Sequence, residues 1–155
     1  IDGFNSLKLP NSELWLVGNI DKKLVSKTNK LEKNNIFFGS VNEFELPKLY
    51  NKATISCLPT LEDGAAIVLP QAMACGLPVI SSKFCMGPDI IENEINGFIL
   101  EKVNSLEISE KINFFYNNPE KTIKMGENAL TSVEKRFSSD AIAKNIINFC
   151  ENNKN

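Results

Sequence analysis

Five short apolar runs punctuate the chain: Leu14-Trp15-Leu16-Val17-Gly18, Ile36-Phe37-Phe38-Gly39, Ile55-Ser56-Cys57-Leu58-Pro59, Val79-Ile80-Ser81-Ser82 and Gly97-Phe98-Ile99-Leu100. Apart from those carrying Ser or Cys, they are nearly continuous rather than alternating. Strands buried on both faces of a parallel sheet produce that pattern. Longer mixed stretches separate the runs. Residues 21–33 set Leu24, Val25 and Leu31 on one side, and residues 43–52 carry Leu46, Leu49 and Tyr50. Residues 67–75 are small and apolar throughout, which predicts a buried helix, and Asp89 to Asn93 leave room for a turn or two. The alternation of strand and helix predicts right-handed crossovers and one Rossmann-like α/β domain, a doubly wound parallel sheet with helices on both faces.

The last third of the chain reads as helical. Asn104 caps a helix over 106–117, with Glu107 three residues on completing a capping box. Asn118-Pro119 opens a second helix that runs to about Phe137, since proline suits the first helical position. Ser138 or Ser139 caps a final helix with an apolar stripe of Ile142, Ile146, Ile147 and Phe149.

In an open parallel sheet, ligands bind outside the C-terminal ends of the strands. Those ends here are Gly18-Asn19, Gly39 to Asn42, Pro59 to Gly64 and Ser82 to Asp89, all rich in glycine or small polar residues. Each also has a plain reading as a βα connection. The third is the most informative, because an acid follows a strand, then Gly64, then a helix start of small residues. Pro70 is compatible with that helix only in its first turn. Asp63 and Gln71, eight positions apart, are placed to face one ligand from loop and helix. Asp63 has a simpler role open to it as an N-cap, and Gln71 as a surface helix residue.

Gln71-Ala72-Met73-Ala74-Cys75-Gly76-Leu77-Pro78-Val79-Ile80 resembles the second half of the acid, seven residues, acid, Ala-Met-Ala-x-Gly-x-Pro-Val-Ile pattern of the retaining GT-B glycosyltransferases of family 4, the glycosyl transferases group 1. Leu16-Val17-Gly18, Phe38-Gly39-Ser40-Val41, Leu49 to Ala53, Gly87-Pro88-Asp89-Ile90-Ile91 and Asn96 to Leu100 fit the same family in order, from about residue 7 to 149. The resemblance is to the C-terminal, donor-binding half of the GT-B fold. It implies that Asp63, with Gly64, contacts the transferred sugar and that Gln71 holds the ribose. Ala66, Ile67 and Val68 would offer helix-start amides to the diphosphate or the sugar, Ser40, Val41 and Asn42 would meet the base, and Gly18 and Asn19 would border the nucleotide.

Two departures mark this chain. Gln71 stands where the family has a second acid, so it contributes hydrogen bonds without charge. Asp63 is shorter than the family's glutamate, and Glu62 beside it takes its place if the register differs by one. The family's diphosphate-binding Arg and Lys follow a strand that would precede Ile1. The chain opens at Ile1 inside an element, so the expectation is a piece of a longer protein, lacking that strand and the N-terminal acceptor domain and inactive alone.

Composition narrows the alternatives. The chain has 155 residues, 43% hydrophobic and 23% charged, which suits one globular domain. A net charge of -2 with scattered Lys and Arg argues against a nucleic-acid partner. No apolar run approaches the ~20 residues of a membrane span, although peripheral membrane association stays open for the longer protein. There is no His, which removes His triads and His metal ligands and disfavours a GT-B epimerase or phosphorylase half. A phosphoacceptor receiver needs acids at the end of its first strand, where this chain has Gly18-Asn19. Cys57, Cys75, Cys85 and Cys150 lack C-x-x-C spacing and read as small buried hydrophobes of a reducing, cytoplasmic protein. The reading that results is a metal-independent, cofactor-free transferase half, taking a nucleotide-sugar (a UDP-sugar first) and passing the sugar to a carbohydrate or lipid acceptor. An inactive partner subunit is the alternative that Gln71 keeps open.

Overall fold

The computed structural model describes residues 1–19 and 32–152. The helix expected over 21–33 lies almost wholly outside the described residues. The elements in order are α1 (Asp2–Asn5), β1 (Leu14–Val17), β2 (Asn35–Gly39), α2 (Leu46–Tyr50), β3 (Ser56–Leu58), α3 (Val68–Ala74), β4 (Val79–Ser82), α4 (Gly87–Ile90), β5 (Gly97–Leu100), α5 (Ser105–Asn117), α6 (Pro119–Phe137) and α7 (Ser139–Asn152). All pairings between strands are parallel. Among the described residues they form two hydrogen-bonded sheets, β1-β2 and β3-β4-β5, where the sequence pattern had suggested one.

The second sheet is the buried centre. Every residue of β4 is buried, and its side chains alternate between two cores. Val79 joins Leu69, Ala72, Met73, Leu77, Ile90, Ile91, Ala129 and Val133 on one face. Ile80 joins Phe4, Phe98, Leu100, Ile112, Phe115 and Met125 on the other. That alternation is the period of two of a strand covered on both sides. Close approach sets the packing at Gly126 in α6, where an added Cβ would run into the Gly76 carbonyl oxygen. Gly97 is similarly confined against the Val79 carbonyl.

Local signals account for most boundaries. The Asn104 side chain accepts from Glu107 N–H at 2.9 Å, as a cap should. The Glu107 carboxylate turns instead to the N–H groups of Glu101 and Lys102, at 2.9 and 2.7 Å. Ser138 is the cap of α7, its hydroxyl accepting from Ala141 N–H at 3.2 Å. α2 is shorter than residues 43–52, because Pro47 suits only the first turn and Asn42 holds a preceding turn through Phe44 N–H. α4 begins at Gly87 with Pro88 in its first turn and ends at Ile90, earlier than the expected 89–93, because Ile91 is extended.

Two burial expectations need correction. α3 is buried on one face only: Leu69, Ala72 and Met73 face inward, while Ile67, Val68, Gln71 and Ala74 are exposed. The cysteines are free but not buried, Cys57 and Cys150 being exposed and Cys75 and Cys85 half-buried. The apolar stripe of α7 is also exposed.

Candidate functional site

The β3–α3 connection is fastened to the end of β4 by hydroxyls. Ser81 donates to the Leu58 carbonyl at 3.3 Å and Ser82 to the Thr60 carbonyl at 2.6 Å. Both serines are fully buried, so these bonds also satisfy groups that would be costly to leave unpaired. Asp63 N–H then donates to the Phe84 carbonyl at 3.2 Å, which ties the turn after β3 to the turn after β4. Thr60 closes the near side, its hydroxyl donating to the Glu62 carbonyl at 3.0 Å and accepting from Glu62 N–H at 3.2 Å.

Asp63 sits half-buried inside this frame. Its Oδ1 accepts from Ala65 N–H at 3.2 Å and Ala66 N–H at 2.9 Å. Ala66 has φ +33°, a left-handed conformation that costs a non-glycine residue on the order of 1–2 kcal/mol. The carboxylate bonds hold it there. The Ala66 amide expected to meet the diphosphate or the sugar is therefore engaged by Asp63, and its side chain is buried. Ile67 and Val68 remain at the exposed start of α3, and Gln71 lies one turn on, its N–H donating to the Ile67 carbonyl at 3.2 Å. Residues three and four apart share a helix face, so Gln71 is exposed on the side where Ile67 and Val68 open to solvent. Pro70 falls in the first turn of α3. Gly64 is exposed, and an added Cβ would meet nothing within 4 Å, so the turn is open to close approach there.

The other face of α3 is held by α2. Tyr50 reaches the Val68 carbonyl at 3.5 Å. Burial, followed by the nearby Cys75, raises the Tyr50 pKa, and burial raises that of Cys75. Both groups stay neutral near pH 7 and serve the packing.

A second cluster forms at the ends of β1 and β2. Gly18 N–H donates to the Gly39 carbonyl at 2.8 Å, and both glycines have positive φ (125° and 67°), which explains the residue type at these turns. Ser40 donates to the Asn19 side-chain carbonyl at 2.9 Å. Val41 is half-buried, and exposed Asn42 caps the turn into α2. Thus hydrogen bonds bring Ser40 to Asn19 beside the Gly18–Gly39 bond, Asp63 to Ala66, and Gln71 to Ile67. No hydrogen bond joins the two clusters among the described residues. Sequence reasoning missed the frame of Thr60, Ser81, Ser82 and the Phe84 carbonyl; adjacent serines ending an apolar strand were its one visible trace. Lys83 follows these serines and pairs with Glu101 at 3.1 Å.

The chemistry on offer is hydrogen bonding to a polar ligand at a fixed turn, flanked by exposed apolar side chains. Comparison with known proteins agrees with the sequence pattern. The glycosyl transferases group 1 family profile matches residues 1–132. An uncharacterized glycosyltransferase of Haemophilus influenzae is 29% identical over 125 residues, 77% of this chain and 35% of that protein. The chain spans about a third of the length of this relative and of others like it. The UDP complex of HepE from Anabaena superposes with a TM-score of 0.85 at 24% identity, covering 97% of this chain and 43% of that one. The C-terminal domain of a glycosyl transferase group 1 family protein, LpcC of Francisella tularensis, gives 0.78 at 23% identity, covering 89% of this chain and 79% of that one. With the profile spanning most of its length and the fold shared throughout, the chain belongs to the glycosyl transferases group 1 family.

Proposed function

We propose that this chain is the donor-binding, C-terminal half of a retaining glycosyltransferase that moves a sugar from a nucleotide-sugar, a UDP-sugar by preference, to an acceptor hydroxyl. The observation that carries the reading is the turn at Asp63 and Gly64, pinned to the end of the buried strand β4, with Gln71 exposed on α3 one helical turn beyond Ile67. The turn takes the transferred sugar, Ile67 and Val68 border the phosphates, and Gln71 bonds the ribose. Gly18, Asn19, Ser40, Val41 and Asn42 form the nucleotide side. That HepE is known as a UDP complex and that a large part of the LpcC C-terminal domain is covered both support the assignment.

Catalysis in this scheme is electrostatic stabilisation of the departing diphosphate together with orientation of the acceptor. The rest of a longer protein supplies the phosphate-neutralising cations and the carbohydrate or lipid acceptor site. Free cysteines, two of them exposed, fit a reducing cytoplasm. The test is UDP affinity of the longer protein with and without Gln71. One or two neutral hydrogen bonds contribute about 0.5–1.5 kcal/mol each, so Gln71→Ala should weaken UDP by a factor of about 2 to about 150 by calorimetry. Unchanged affinity removes Gln71 from the site. Transfer of sugar by the longer protein separates this reading from an inactive partner subunit.

A further inference from the structure

We propose that Phe84 is a sugar-contacting residue, whose ring is a platform for the apolar C–H face of a donor hexose seated on the Asp63–Gly64 turn. The inference rests on the donor-domain reading above and adds a contact to it. Two hydrogen bonds lock the Phe84 backbone. Its N–H donates to the Ser82 hydroxyl at 3.3 Å, and its carbonyl accepts from Asp63 N–H at 3.2 Å. Ser82 is itself fully buried and bonded to Thr60. The Phe84 ring belongs to neither apolar core and is 45% exposed. A large aromatic side chain is thus anchored through its backbone and kept half in water. Leu61 before the Asp63 turn and Ile67 after it are more exposed still, so three large apolar side chains border the turn. Exposed apolar groups gathered around polar ones are a mark of ligand-binding grooves.

The chemistry of a hexose selects the aromatic member of the three. A pyranose carries hydroxyls around its edge and C–H groups on its faces, so it needs hydrogen bonds at the edge and an apolar partner on a face. The face of an aromatic ring is flat and negative, which suits polarised C–H hydrogens; Leu61 and Ile67 supply apolar area without that match. Reach agrees with the assignment. Residues joined by a backbone hydrogen bond across neighbouring segments lie about 5 Å apart at Cα, less than the span of a hexose with its hydroxyls. Lys83 restrains the ring further, its Nζ lying 5.8 Å from the ring centroid and 3.1 Å from the Glu101 carboxylate. The proposed base side hangs from β1 and β2, in the other sheet of the described residues, which leaves Phe84 to the sugar.

The experiment measures, by calorimetry on the longer protein, the affinities of UDP and of three probes, UDP-glucose, UDP-galactose and UDP-N-acetylglucosamine. The wild type is compared with Phe84→Ala and Phe84→Leu. Phe84→Ala should weaken the best-bound probe about tenfold or more, since it forfeits the burial of about half a phenylalanine side chain and the ring-face contact. UDP alone should bind as it does to the wild type. Phe84→Leu keeps apolar area and loses the flat face, so it should also weaken the probe, by less. A loss shared equally by UDP and the probe puts the ring on the nucleotide and overturns the proposal. So do a probe affinity indifferent to Phe84→Ala, a Phe84→Leu variant equal to the wild type, and a wild type that binds UDP but none of the three hexose probes. Hydrogen exchange over 59–66 separates contact from scaffolding. Protection there should be unchanged in both variants, and a probe loss that comes with lost protection assigns the ring to holding the turn instead. A wild type that binds neither UDP nor any probe overturns the donor-domain reading and the platform with it, whereas a wild type that binds them with indifferent variants removes the platform alone.

Discussion

β4 and β1 are both four-residue apolar strands in parallel ladders, yet they live in different surroundings. β4 is buried along its whole length, and β5 beside it nearly so. In the β1-β2 pair no residue reaches full burial, and Val17, Phe37 and Phe38 are 44%, 36% and 39% exposed. Among the described residues, what separates them is the number of covering layers. α3 and α6 cover one face of β4 while α1 and α5 contribute to the core on the other. The β1-β2 pair is tied in through Leu14 at the edge of the second core and through the reciprocal amide pair of Asn5 and Asn35, at 2.9 and 3.1 Å. The more deeply buried sheet among the described residues is therefore the one that carries the Asp63 turn, and the Gly18–Ser40 cluster stands on the more exposed one.

The largest expected effect tests this contrast directly. Leu100 on β5 is fully buried, and Leu100→Ala should cost about 2–5 kcal/mol, the usual toll of a large-to-small change in a core. Val17→Ala on β1 should cost less than about 1 kcal/mol, because nearly half of the side chain is already in water. Urea unfolding of the two variants of this chain measures both. Equal losses would mean that the exposed and buried sheets share one stability, and the comparison breaks.

How much of this was legible in the sequence follows the same division. All five apolar runs became strands, and the helices at 105–117 and 119–137 start close to where Asn104 and Pro119 placed them. Hydrophobic runs report what a strand wants to bury. They do not report which strands hydrogen-bond to which or how deeply each is covered, so the two sheets of the described residues and the exposure of Phe37 and Phe38 could not be read from them. The same blindness misplaced the cysteines, since Cys57 lies in an apolar run and is nonetheless exposed. At the candidate site, spacing singled out Asp63 and Gln71, and the structure sets Asp63 half-buried in the turn and Gln71 exposed on α3. The engagement of the Ala66 amide was not, because it depends on which of two available roles the Asp63 carboxylate takes. The bond from Ser82 to Thr60 joins residues 22 apart and has no local signature.

Ser82→Ala gives an intermediate effect at the junction between rigid strand and functional turn. It removes a buried donor and leaves the Thr60 carbonyl without its 2.6 Å partner. An unsatisfied buried group costs about 1–3 kcal/mol, so the urea midpoint should fall measurably, though less than for Leu100→Ala. Hydrogen exchange should show the loss spreading through 59–66 while the core helices α3 and α6 keep most of their protection. A loss spread evenly over the whole chain would show that this bond supports the core rather than the turn.

The smallest effect belongs to the ion pair at the rim. Lys83 and Glu101 meet at 3.1 Å where β4 and β5 end, with side chains 45% and 74% exposed. Water screens such a pair, and exposed pairs typically contribute about 0.2–1 kcal/mol. Glu101→Gln should therefore shift stability by less than about 0.5 kcal/mol at moderate salt, with the difference shrinking as the Debye length falls below ~10 Å. Its interest lies in what it releases. Lys83 follows directly on Ser82, which anchors the Asp63 turn, and without Glu101 its ammonium is free to reach toward an anionic ligand. If phosphates bind near this rim, UDP affinity should rise a few-fold in Glu101→Gln, and the gain should vanish at high salt. A gain that persists at high salt would have some cause other than the freed charge. No gain at all would place the phosphates away from Lys83 and leave the exposed start of α3 as their nearer neighbour.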